Sequence, residues 1–245
     1  MNNLLFNTCR ESSDHGAFNS WDRLPFVTTV ASGTPSTIPA WTDAHHNLIV
    51  ANYGANAGCL DNDDGSAYYR IHHNVCMYSG HKGDFDGHSK LSYDNLHVHP
   101  TVYNPSCLNI GVQALPPAGY ADGYFRNRCV LAAASDHYLT INGGLIGGLD
   151  CLGGSVAAID AFAAGLKLMN NTIFVPGGEA LVSCGGMPHN PARRTINASD
   201  FLKLGYDANT VVIGELPTVN TILGWASQLL ELSNTRFAID DPRGP

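Results

Sequence analysis

An Asn followed three residues later by an apolar side chain returns six times along this chain. The strings are Asn3-Leu4-Leu5-Phe6, Asn47-Leu48-Ile49-Val50, Asn74-Val75-Cys76-Met77, Asn95-Leu96-His97-Val98, Asn127-Arg128-Cys129-Val130 and Asn171-Thr172-Ile173-Phe174. Successive Asn-to-Asn steps are 44, 27, 21, 32 and 44 residues. One rung of roughly 20 to 25 residues, or two, accounts for the steps of 44 and 21, and a rung plus a loop accounts for the others. A period of that length is the mark of a solenoid. The expected fold is therefore all-β, a parallel β-helix in which each Asn occupies a corner and stacked amides bond from rung to rung.

The third position after each Asn (Phe6, Val50, Met77, Val98, Val130, Phe174) is apolar every time and is expected to face the inside of the coil. The second position (Leu5, Ile49, Cys76, His97, Cys129, Ile173) is then expected on the other face. Residues 19–46 and 100–122 are rich in proline and are expected to leave the coil as loops, where binding residues tend to sit. Past residue 185 the pattern changes. Thr218 can cap a helix running through Ile222, Leu223, Trp225, Ala226, Leu229 and Leu230, suited to covering the open end of the coil. The expected organisation is a coil over 1–185 and a helical C-terminal cap over 186–245. No such cover precedes Asn3, so earlier rungs are expected ahead of residue 1.

The 26 glycines among 245 residues, like the many asparagines, suit the left-handed corners that coiled strands need. A net charge of −8 makes nucleic acid and an anionic membrane poor partners. No apolar run reaches membrane-spanning length. The seven cysteines form no C-x-x-C pair, which argues against a structural zinc site. Cys107, Cys129 and Cys151 are spaced by 22 residues twice over. Stacking on adjacent rungs brings them within disulfide range, although a row of buried thiols is the expected outcome. Asn170-Asn171-Thr172 and Asn197-Ala198-Ser199 fit the glycosylation pattern, at a frequency near chance for so Asn-rich a chain.

Three polar clusters stand out: Thr8 to Arg23, Asp61-Asn62-Asp63-Asp64-Gly65-Ser66 with Tyr68 and Tyr69 behind it, and His81 to His88. Asp64 precedes Asp84 by 20 residues and Asp86 by 22, about one rung, so the second and third clusters are expected to converge. Hydrolysis of a glycosidic bond needs two carboxyls flanking it, and crowding them makes one a proton donor near neutral pH. Trp21, Tyr68 and Tyr69 can stack on sugar rings. Turn chemistry accounts for the Asp61–Ser66 string equally well. Its oxygens also suit Ca²⁺, although the spacing is not that of an EF-hand. His45-His46 and His72-His73 recur at one rung position, which favours a structural corner. His15, amid Glu11, Asp14 and Asp22, does not recur and is the better functional histidine.

The strings Asn7-Thr8-Cys9-Arg10-Glu11, Asp14-His15-Gly16, Phe18-Asn19-Ser20-Trp21-Asp22-Arg23 and Asn62-Asp63-Asp64-Gly65-Ser66, with Gly205-Tyr206-Asp207 and Gly224-Trp225, resemble the pectin-lyase-like superfamily of right-handed β-helix proteins. The likeness spans most of residues 1–230. It implies right-handed coiling, as the crossover rule also does, and a secreted glycoside hydrolase acting on a plant or algal polysaccharide. Asp63 or Asp64 would be nucleophile or base, and Asp84 or Asp86 the acid one rung later. Glu11, Asp14, His15, Trp21, Asp22, Arg23, Tyr68 and His88 would bind substrate. Related hydrolases usually carry a Glu as acid, and this chain has none between Glu11 and Glu179. A polysaccharide lyase using Lys82 or Lys90 as base, and a non-catalytic glycan-binding β-helix, are the alternatives. If the two Asp pairs occupy equivalent places on adjacent rungs, their carboxyls would stand close enough for a retaining mechanism.

Overall fold

The computed structural model describes residues 1–12, 15–20, 41–54, 58–63, 66–84, 89–100, 106–111, 121–142, 145–146, 149–150, 160, 163, 165–184 and 194–232, with residues 83, 84, 142, 145, 146, 149 and 150 as backbone alone. The chain is mostly β and builds three parallel sheets. Sheet A holds β1 (Leu4–Thr8), β4 (Leu48–Asn52), β7 (Val75–Met77), β10 (Leu96–Val98), β13 (Arg128–Val130), β18 (Thr172–Phe174) and β22 (Val211–Ile213). Sheet B holds β2 (Phe18–Ser20), β5 (Leu60–Asn62), β8 (His81–Asp84), β11 (Ser106–Gly111), β14 (His137–Asn142) and β19 (Leu181–Cys184), with β20 (Arg194–Asn197) antiparallel at its edge. Sheet C holds β3 (Thr42–His45), β6 (Tyr69–His72), β9 (Leu91–Tyr93), β12 (Asp122–Phe125), β17 (Leu166–Met169) and β21 (Asp207–Ala208). From β1 to β14 the chain visits A, B and C in unbroken rotation. A short hairpin, β15 (Leu145–Ile146) with β16 (Leu149–Asp150), interrupts the cycle before β17 resumes it.

The three sheets face one interior. Its largest apolar cluster draws Cys107, Leu108 and Leu139 from sheet B, Tyr124 and Leu168 from sheet C, and Cys129 and Ile173 from sheet A. The repeated Asn forms the expected ladder. The backbone N–H and the side-chain amide of Asn3 both donate to Asn47 Oδ1, and the same pair of bonds runs from Asn47 to Asn74, Asn95, Asn127 and Asn171. Thr210 ends it, its hydroxyl accepting from Asn171 N–H at 2.9 Å. Directly before each of these seven residues the chain is left-handed, at Asn2, His46, His73, Asp94, Arg126, Asn170 and Asn209, with φ between 53 and 59°. None of the seven is glycine, so the ladder must offset a strain of about 1 kcal/mol or more at every corner. Glycine is required elsewhere. Gly58 and Gly80 stack between sheets A and B, where a Cβ on Gly80 would stand 2.0 Å from Ser106 O and one on Gly58 2.2 Å from Gly80 O.

The facing of sheet A is opposite to the expected one. Ile49, Cys76, His97, Cys129 and Ile173 are the buried interior side chains, whereas Phe6 is 62 % exposed and Val98 and Val130 belong to a separate cluster on the outer face. That outer face is apolar because a helix lies over it. In α2 (Val219–Leu229), with the Thr218 hydroxyl capping Thr221 N–H, Ile222, Trp225, Ala226 and Leu229, joined by Leu230 just past its end, make the apolar stripe that packs on Leu48, Met77, Val98, Val130 and Phe174. With both faces of the sheet apolar, alternation carries no information about which side is in. The helix therefore covers the outer face of sheet A rather than the end of the sheets. The end receives α1 (Ala198–Lys203), which buries Ala198 and Phe201 in the main core. β20, β21 and β22 lie beyond residue 185, so all three sheets run on into the segment expected to be a cap.

The expected row of buried thiols is instead cross-linked. Cys107 and Cys129 are joined between sheets B and A with Cα atoms 6.1 Å apart, and Cys59 and Cys76 are joined likewise at 6.2 Å. Cys184 is also disulfide-bonded, Cys9 is a half-buried free thiol, and Cys151 lies outside the described residues. The expected stacking of Cys107 and Cys129 on neighbouring strands is not what the structure shows: they lie on different sheets, and the bond joins β11 of sheet B to β13 of sheet A. No helix among the described residues is long and apolar enough to cross a membrane.

Candidate functional site

Parallel pairing turns a position on one strand into a row across the sheet. On the outer face of sheet B the register aligns Asn19, Asp61, Lys82, Asn109, Thr140 and Ser183. Leu60, Leu108, Leu139 and Val182, one residue away on their strands, point into the core. The outer row is thus polar by alternation, and most of it is buried. The side-chain carboxyl of Asp61 has no exposed surface, and the hydroxyls of Thr140 and Ser183 are buried without a hydrogen-bond partner among the described residues.

The centre of the row is a two-carboxyl cluster on one cation. Lys82 Nζ lies 3.3 Å from Asp61 Oδ1 and 3.1 Å from Asp63 Oδ1, and Asn19 Nδ2 donates to Asp61 Oδ2 at 3.0 Å. Asp63 shares a face with Asp61 because it is two residues on, and its backbone N–H is held by Ser20 O. Burial pushes the Asp61 carboxyl up to about 6; Lys82 opposes that rise and the Asp63 charge adds to it. Lys82 Nζ approaches Asp61 Oδ1 as an ion pair.

Of the residues singled out in the sequence, Asp63 is in this cluster. Asp84 follows Gly83, the residue paired with Asn62, so its backbone stands alongside Asp63 as the one-rung spacing anticipated. Asp14, Trp21, Asp22, Arg23, Asp64, Asp86 and His88 lie outside the described residues. Glu11 and His15 are exposed between β1 and β2, where His15 Nδ1 meets Ser12 Oγ at 2.5 Å. Tyr68 is buried, its ring edge-on to Trp41 at 5.6 Å, which removes it as an open sugar platform. The turn reading of the Asp61–Ser66 string also holds in part, since Asp63 O accepts from Ser66 N–H. Asp61 and Lys82 were not singled out as a pair. Their signal was a 21-residue separation, equal to the shortest Asn step.

Three further titratable side chains are buried between the sheets. His97, expected outside, is fully buried, and burial pushes it down to about 4; His81 goes down to about 3 for the same reason, with the His97 and Lys90 charges adding. Both are neutral near pH 7. Asp207, held by the Tyr138 and Thr210 hydroxyls, is raised to about 6 by burial. Donor atoms of Cys59, Cys76 and His97 lie within 4.8 Å of one another, but the two sulfurs are bonded together and offer no thiolate. The oxygens of Asp61 and Asp63 that would suit Ca²⁺ are directed at Lys82 instead. The chain matches no protein-family model, and comparison with curated proteins and with solved structures finds no match either.

Proposed function

We propose that the chain is a right-handed parallel β-helix similar to the pectin-lyase-like proteins, and that the outer face of sheet B carries a glycosidase-like site for a plant or algal polysaccharide. The fold reading rests on the A-B-C rotation of the strands, the shared interior and the unbroken Asn ladder. The functional reading rests on one observation: a carboxyl raised to about 6 stands beside a second carboxyl on the same pleated face. Asp61, carrying its proton in mildly acidic solution, is the general acid, and the ion-paired Asp63 is the nucleophile. Contacts of 3.3 and 3.1 Å to one ammonium hold the facing oxygens closer than the roughly 6.5 Å at which inverting pairs begin, so the mechanism is retaining. Lys82 is held by both Asp61 and Asp63, at 3.3 and 3.1 Å, which leaves it poorly placed as a base for lyase chemistry.

The complete burial of the Asp61 side chain favours a second reading, a glycan-binding or structural coil in which the triad only stabilises sheet B. Location outside the cell fits either reading, because disulfides such as Cys59–Cys76 and Cys107–Cys129 belong to an oxidising compartment. A polysaccharide panel assayed for new reducing ends separates them. Hydrolysis that falls about 10²-fold or more in both Asp61→Asn and Asp63→Asn supports the glycosidase. Glycan binding without turnover, unchanged by Asp61→Asn, leaves the binding coil. An unsaturated product absorbing in the ultraviolet would indicate the lyase.

A further inference from the structure

His45-His46 and His72-His73 fall on adjacent rungs, and the register pairs His45 directly with His72. The four imidazoles form a two-by-two array. His45 stacks on His72 with centroids 4.9 Å apart and planes 7° from parallel, and His46 stacks on His73 at 5.2 Å and 12°. Within each rung the rings stand nearly perpendicular, and their Nδ1 atoms approach to 2.5 Å in His45–His46 and 2.8 Å in His72–His73. All four side chains are half-buried, so solvent reaches the array.

Corner geometry does not account for these residues. His46 and His73 hold the left-handed corner, but the same corner on other rungs is made by Asn2, Asp94, Arg126 and Asn170. A backbone position that accepts Asn, Asp or Arg does not demand imidazole. What sets the two rungs apart is an imidazole at both positions, with a carboxylate behind one ring of each pair. His46 Nε2 is 3.4 Å from Glu231 Oε1, and His72 Nε2 is 3.5 Å from Asp43 Oδ1. A carboxylate at Nε2 fixes the proton there and leaves Nδ1 as a lone-pair donor, which is how metal-binding histidines are commonly oriented.

We propose that this array is a binding site for a divalent transition metal that prefers nitrogen and a square arrangement of donors, copper(II) foremost. Each His–His pair acts as a bidentate ligand through its two Nδ1 atoms. With metal–nitrogen bonds of about 2.0 Å, two adjacent corners of a square lie about 2.8 Å apart. The His72–His73 separation of 2.8 Å already has that value, and His45–His46 needs to open slightly. The ion takes the place of the proton shared between the two Nδ1 atoms. That proton moves through solvent to the Nε2 of the ring that carried it, so both ligands stay neutral. Stacked parallel rings cannot aim in-plane lone pairs at one ion, so the two pairs do not share a metal. Two dications on neighbouring rungs repel, and the first equivalent occupies His72–His73.

The test is titration of the metal-free protein with copper(II) and zinc(II), followed by visible absorption and electron paramagnetic resonance. The expected result is one tight copper equivalent with coupling to two imidazole nitrogens, and zinc bound more weakly. The variant His72→Gln/His73→Asn, in which Asn tolerates the left-handed corner, should lower copper affinity at least tenfold while circular dichroism is unchanged. Protection of His72 and His73 from diethyl pyrocarbonate by copper, read in the unaltered protein, gives the same answer without a variant. Copper affinity unchanged in the variant, a spectrum without imidazole coupling, or no protection would each overturn the proposal.

Discussion

Replacing Asn95 with Ala removes one link from the middle of the ladder, and the cost can be counted from its bonds. Asn95 Oδ1 accepts from the backbone and side-chain amides of Asn74, both at 3.0 Å. Its own Nδ2 donates to Ile71 O, Ser92 Oγ and Asn127 Oδ1. The Asn74 amide keeps other acceptors in Ala44 O and His72 O, and Asn127 Oδ1 keeps the Asn95 backbone donor. The Asn74 backbone N–H is left in a region without solvent, since Asn74 and Asn95 are almost wholly buried. An orphaned buried backbone group costs about 1–3 kcal/mol and each lost net bond about 1 kcal/mol, so Asn95→Ala should destabilise by about 3–5 kcal/mol. Exposed Asn170, which only shapes a corner, should lose about 1 kcal/mol on replacement by Ala. Urea unfolding of both variants measures the difference as a shift in midpoint at constant slope. A loss below about 1 kcal/mol for Asn95→Ala would show that the ladder decorates the corners without holding them.

Asp61 binds its proton more tightly folded (about 6) than at its ordinary 3.8, so stability should fall by roughly 3 kcal/mol as pH rises from about 4 to about 6. Asp207 acts in the same direction, and Asp61→Asn should therefore reduce that fall without abolishing it; a pH series of unfolding midpoints unchanged by the substitution would contradict the assignment. The Cys59–Cys76 and Cys107–Cys129 bonds close loops of 17 and 22 residues, worth about 3 kcal/mol each. Because all four residues are buried, reductant should lower thermal stability only once the chain opens, which comparing reduction rates in native and denaturing buffer will show. Trp225 packs on Phe174 at 5.3 Å and under Arg128 at 4.8 Å, so Trp225→Ala should cost about 3 kcal/mol and promote light-scattering aggregates as the outer face of sheet A is bared.

The Asn period was legible because the corner asks for one side chain with a donor and an acceptor at every rung. The direction in which sheet A faces was not, since α2 makes Val98 and Val130 as apolar as Ile49 and Ile173, and a two-residue alternation reads the same from either side. Asp63 could be picked out from the clustered carboxyls, but Asp61 could not be ranked above it. The difference between them is burial beneath the row of sheet B, a property of packing and not of spacing. The Cys59–Cys76 disulfide was hidden for a similar reason. Cys59, just before β5, and Cys76, in β7, are only 17 residues apart, so their meeting depends on how closely sheets A and B approach.

The bond from each ladder Asn to the next keeps nearly one length, 2.9–3.1 Å from backbone N–H to side-chain oxygen, while the chain between them runs from 21 to 44 residues. The bond between successive ladder residues is therefore indifferent to how much sequence lies between them. An excursion can be lengthened, trimmed or exchanged for a foreign segment, provided that it returns to a left-handed residue followed by Asn. The shortest step, Asn74 to Asn95, is by the same logic a cassette. Copied once in tandem, it should extend the molecule by one strand spacing, about 4.8 Å, and leave every existing corner bond in register.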